Sequence, residues 1–163
     1  MIDRTLLRWL PRGVALVIAG MGAPAYACTL CSCTVSATGV AFGAYDPLSA
    51  SPTDAVGTVT VSCSAVVALS GGYTIQLGPG QAGSYAERRL ANGSNQLGYN
   101  LYLDAARTIV WGDGTGGTGT QSYTLVGLLT NDVKNYSVYA RLRAAQNVPV
   151  GSYSDTIVVT VTY

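Results

Sequence analysis

Histidine is absent from the 163 residues, lysine occurs once, at Lys134, and charged residues make up only 10% of the chain. Without histidine there is no Ser-His-Asp or Cys-His catalysis and no histidine metal site. Most general-base schemes near neutral pH are also lost. Charge this far below the usual ~25% does not belong to a disordered or polyelectrolyte segment. The formal charge is +1, and residues 1–27 hold three arginines against one aspartate, so the remaining six cations and seven anions sum to −1. The only close arginine pairs are Arg88-Arg89 and Arg141/Arg143. A phosphate backbone requires clustered cations, so nucleic acid is not an expected partner. No enzymatic activity and no cofactor or metal are expected.

Apolar residues reach 48%, with 20 glycines and 11 tyrosines. Val and Thr are also abundant. Val, Thr and Tyr favour strands and Gly punctuates turns. The composition predicts an all-β, extracytoplasmic protein of one domain.

The N-terminus has three parts. Arg4, Arg8 and Arg12 precede an uncharged stretch of small and apolar residues, 13–23, and Ala25-Tyr26-Ala27 forms an A-x-A pattern. This is the form of a secretory signal peptide. Its core falls short of the ~20 apolar residues that span a bilayer. Residues 1–27 are therefore expected to be removed, leaving 28–163 as one exported domain with no membrane span. Cys28 at the new N-terminus also raises lipidation, although Tyr26 stands where a lipobox prefers a small residue.

Cys28, Cys31, Cys33 and Cys63 all lie after the cleavage pattern. An even count in an exported chain implies disulfides, and three pairings are possible. Cys33 and Cys63 each sit in alternating, strand-like sequence. A bridge between them leaves Cys28 and Cys31 either in a small local loop or free. A zinc knuckle would need a second, separated ligand pair, which the chain does not supply.

Strand-like runs recur over residues 33–42, 57–64, 73–77, 98–103, 108–111, 122–129, 136–142 and 153–163. Turn signals separate them at Tyr45-Asp46-Pro47, Gly78-Pro79-Gly80, Asn92-Gly93, 112–119, Asn131-Asp132 and Pro149-Val150-Gly151. Many short strands with regular turns predict a β-sandwich or barrel. Residues 112–117 spell G-x-G-x-x-G, but a dinucleotide site needs a helix next, and Gln121–Val126 reads as a strand. That stretch is expected to be a loop. Asp104 and Asp113 lack the spaced oxygen ligands of a calcium loop. Val66, Val67 and Leu69 lie between two strand runs, where apolar residues at a loop tip mark a contact surface or else extend a strand into the core.

Several segments in order resemble the spore coat protein U domain family, which includes subunits of archaic chaperone–usher pili. They are Cys33–Val35, Val40–Pro47, Gly57–Cys63, Arg88 or Arg89 with Leu90, Leu97–Asp104, Ala106-Arg107, Trp111–Gly114 and Gly151–Tyr163. The resemblance covers residues 31–163. It implies an immunoglobulin-like β-sandwich, incomplete because its last strand is missing, and it places the family's disulfide on Cys33 and Cys63.

The resemblance also implies a functional edge and partners. Ile157, Val159, Val161 and Tyr163, on one face of the final run, would form an edge open to a donor strand. A periplasmic chaperone would fill it first and a neighbouring subunit's N-terminal extension afterwards, with an outer-membrane usher guiding assembly to the cell surface. Only five residues separate the cleavage pattern from Cys33, too few for a donor strand. The chain is thus expected to receive a strand without giving one, as a terminal, tip-like subunit in adhesion or biofilm formation. The alternative is a free-standing secreted coat-like structural or carbohydrate-binding sandwich.

Overall fold

A computed structural model describes residues 15–18, 31–65, 71–125 and 130–163. Nine strands run through them: β1 (Ala15–Ile18), β2 (Cys31–Thr38), β3 (Thr53–Ala65), β4 (Gly71–Leu77), β5 (Arg88–Asn92), β6 (Asn95–Tyr102), β7 (Gln121–Leu125), β8 (Thr130–Leu142) and β9 (Thr156–Thr162). They form a four-stranded sheet, β1-β9-β4-β7, and a five-stranded sheet, β2-β3-β8-β6-β5. The chain is all-β, as its composition implied, and the two sheets make an immunoglobulin-like sandwich.

Period-two alternation sends one face of each strand inward. Val59 and Val61 of β3, Tyr99 and Leu101 of β6, and Val138, Ala140 and Leu142 of β8 meet Tyr73, Ile75 and Leu77 of β4 and Ile157 and Val159 of β9. Each fully buried aliphatic or aromatic side chain contributes roughly 1.5–3 kcal/mol. Trp111 is buried in the same cluster, with its indole N–H satisfied by the Ile75 carbonyl at 3.1 Å.

Three sequence expectations change. Asn131-Asp132, expected to turn, lies inside β8, because the thirteen residues of β3 pair with β8 in unbroken register from Thr53↔Leu142 to Ala65↔Thr130. A full ladder outweighs the local turn preference of Asn and Asp. Residues 108–111, expected as a strand, make only isolated bridges, Val110↔Tyr102 and Trp111↔Gly119. Conversely, Arg88–Asn92 is a strand that the alternation did not suggest. It forms a hairpin with β6 through the Asn92-Gly93 turn. Residues 112–117 are a loop followed by strand β7, so no helix N-terminus stands behind the glycines.

Candidate functional site

The edge of β9 is the centre of interest. Its sequence, TIVVTVT, alternates, so Ile157 and Val159 are fully buried while Val161 packs partly against the core. Tyr163 follows the end of the strand and is 42% exposed, outside the buried row. Along one side β9 pairs antiparallel with β4, from Thr74↔Thr162 to Leu77↔Val159. Along its other side β1 pairs parallel, from Ala15↔Thr156 to Ile18↔Val159. β1 also approaches β2 of the opposite sheet, so it closes that flank of the sandwich. This strand comes from the segment that precedes the A-x-A pattern.

A buried polar network holds the start of β9. Asp155, 1% exposed, accepts from the backbone N–H of Thr156 at 2.7 Å and of Gln81 at 2.9 Å, and from the Tyr99 hydroxyl at 2.8 Å. Gly80 lies under this carboxylate at φ +74°, and a Cβ there would run into Asp155. Above it, Arg88 is fully buried. Its guanidinium donates to the carbonyls of Gly78 and Trp111, at 2.8 and 2.7 Å, and to Asn100 Oδ1 at 2.7 Å. The Gly78 N–H in turn donates to the Val158 carbonyl at 2.8 Å. Burial lowers the pKa of Arg88, while the nearby Tyr99, Tyr85 and Asp155 oppose that shift. Burial, then the Asp155 carboxylate, pushes the Tyr99 phenol well up. The tyrosine therefore stays a hydroxyl donor. Sequence reading missed this network, because an inward arginine breaks the apolar pattern around it.

Cys33 and Cys63 are bridged, and they face each other across the β2–β3 register with Cα atoms 4.1 Å apart. Cys31 begins β2 opposite Ala65. Cys28, Val66, Val67 and Leu69 lie outside the described residues. Asp104 and Asp113 cap loops: Asp104 accepts the N–H groups of Thr108 and Ile109 at 2.9 Å, and Asp113 that of Thr115 at 2.9 Å. Those bonds keep both carboxyls below the ordinary aspartate value, that of Asp104 first through Ile109 and that of Asp113 first through the Thr115 hydroxyl. The two aspartates serve separate turns. Among the described residues no helix is long and apolar enough to cross a membrane.

Fold and edge together define a two-sheet, immunoglobulin-like sandwich in which β1 of the same chain lies alongside β9. The chain belongs to the Spore Coat Protein U domain family, whose model matches residues 23–160. It is 34% identical over 170 residues to Protein U of Myxococcus xanthus, covering 98% of this chain and 92% of that protein. It shares its fold with a chain of the CsuC–CsuE chaperone–tip adhesion subunit pre-assembly complex from the archaic chaperone-usher Csu pili of Acinetobacter baumannii. That match has a TM-score of 0.53 at 19% identity and covers 82% of this chain. This chain spans 40% of the length of the other.

Proposed function

We propose that the chain is an exported, non-enzymatic subunit of an archaic chaperone–usher pilus, completed by a donor strand along β9. The observation that carries this reading is the position of β1. The outer edge of β9 is covered by Ala15–Ile18, which lies on the N-terminal side of the cleavage pattern at Ala25–Ala27. Cleavage after Ala27 removes that strand, and an uncovered apolar edge is a liability until something pairs with it. Strand addition supplies main-chain hydrogen bonds, with side-chain pockets for specificity. The partners in this reading are a periplasmic chaperone, an outer-membrane usher and the neighbouring subunit that donates the strand.

The same geometry favours a receiving, tip-like position. A donor strand requires roughly ten residues at ~3.3 Å each. Between Ala27 and Cys33 there are five, and Cys31 and Ser32 already pair with Ala65 and Ser64 in β2. A terminal subunit would carry the adhesive contact, which this reading assigns to Val66, Val67 and Leu69 in the β3–β4 connection.

The test is to purify the exported protein, determine its N-terminal residue by mass spectrometry and mix it with candidate donors. The expected result is a chain starting at Cys28 that aggregates alone. A chaperone or a neighbour's extension peptide should rescue it, and it should not polymerise with itself. A stable monomer indifferent to every donor would reject the pilus reading in favour of a free-standing coat-like protein.

A further inference from the structure

On the outer face of the five-stranded sheet, away from the β9 edge, strand register assembles a second site. Asp54 of β3, Arg141 of β8 and Asn100 of β6 stand in one row across the sheet. Tyr139 and Tyr102 are paired in the row beside it. On the other side, Arg89 lies opposite Gly98, and the Arg143 N–H donates to the Gly98 carbonyl at 3.1 Å. Between Glu87, Asn100, Tyr102, Arg141 and Arg143 runs an open groove of about 320 Å³, at the lower end of the range for small-molecule sites.

The charges on this face do not balance. Asp54 is shared between Arg141, at 2.7 Å, and Arg107, at 3.3 Å. Glu87 is shared between Arg89, at 3.0 Å, and Arg143. Four guanidiniums thus meet two carboxylates. Those four are four of the six cations after residue 27 in a region whose net charge is −1. Gly98 makes the arrangement possible, since a Cβ there would strike both Glu87 and the Arg143 guanidinium. Arg141 is committed by two bonds to Asp54. Arg143 and Arg89 instead keep 63% and 47% of their side chains exposed. Tyr139 carries the Arg107 guanidinium over its ring at 5.8 Å, leaving Tyr102 as the aromatic wall of the groove.

We propose that this face binds an acidic polysaccharide, with sugar carboxylates on Arg143 and Arg89 and a sugar ring against Tyr102. The guanidinium fork matches a carboxylate bidentately, and a tyrosine supplies an apolar face with a polar tip. The excess of two positive charges suits a ligand with one carboxylate per ring. It is sparse for duplex DNA, which presents a charge every ~1.7 Å of helix axis. The site is independent of the β9 edge, so its failure leaves the pilus reading untouched.

The experiment measures binding of the full chain to polygalacturonate, with neutral dextran and a duplex DNA oligonucleotide as controls. Polygalacturonate should bind and dextran should not. Arg143→Gln and Arg89→Gln should each weaken binding about tenfold, the loss of one charge-assisted contact, with the strand content by circular dichroism retained. Tyr102→Ala should weaken polygalacturonate binding too. On the unsubstituted protein, polygalacturonate should protect Arg143 and Arg89 from phenylglyoxal, read by peptide mass. The proposal is overturned by no polygalacturonate binding, by full binding in the double arginine variant, by absence of protection, or by equal binding of DNA with the same arginine dependence.

Discussion

The hydroxyl of Tyr99 donates to Asp155 at 2.8 Å, joining β6 of one sheet to the root of β9 in the other. Both residues are 1% exposed, so neither group has water to replace its partner. This bond fixes where β9 begins and, through the adjacent Thr156 N–H, in which register it starts.

Asp155→Ala should therefore be costly. It leaves a buried phenol and two backbone N–H groups without an acceptor, each worth about 1–3 kcal/mol when orphaned. Tyr99→Phe should cost less, about 1–2 kcal/mol, since it removes one donor and leaves the carboxylate two others. Urea unfolding of the two single variants and the double variant measures the coupling. Additive losses in that cycle would show that the bond does not link the sheets.

Arg88 should tolerate no replacement. Its fork serves carbonyls from the end of β4 and from Trp111, together with Asn100. Arg88→Met strands these acceptors in the interior, at a cost of roughly 3 kcal/mol or more. Arg88→Lys should not restore stability, because a single ammonium cannot span the planar set. Wild-type stability in the lysine variant would show that charge alone suffices there.

The Cys33–Cys63 bridge closes a separation of 30 residues. Replacing both by serine should remove about 2–5 kcal/mol, with the strand content by circular dichroism retained below the lowered melting point. Unchanged stability would mean that the β2–β3 ladder holds without it.

Stability should fall at both ends of the pH scale for identifiable reasons. The hydrogen bond from Arg141, backed by the charges of Arg107 and Arg141, holds Asp54 below its ordinary value of 3.8. A depressed carboxyl stabilises the fold above its unfolded pKa, and that contribution disappears as pH falls below about 3.8. Burial, then the Tyr136 hydroxyl 2.6 Å away, raises the pKa of Tyr73 above 10.0. A raised phenol stabilises the fold below its unfolded pKa, and that contribution is lost as pH climbs past 10.0. Asp54→Asn should flatten the acid limb of the stability profile and Tyr73→Phe the alkaline limb. Variant profiles parallel to the wild type would contradict both assignments.

Some features were legible in the chain itself. The alternation of Val59, Val61 and Cys63, of Tyr73, Ile75 and Leu77, and of Ile157 and Val159 specifies strands and their inward faces, because side chains repeat every two residues. β5 was hidden for the converse reason. Of its two inward positions, Arg88 and Leu90, the first is filled by a cation whose burial depends on carbonyls elsewhere in the chain. Asn131-Asp132 carried a turn signal that a thirteen-residue ladder overrode. Sequence alone thus determined the all-β class, the Cys33–Cys63 candidates and the apolar row of β9. Only tertiary structure decided that Ala15–Ile18 lies along β9, that Asp155 meets Tyr99, and that Arg89, Arg107, Arg141 and Arg143 share one face. Each of these depends on register between strands distant in the chain, which periodicity within a single strand does not encode.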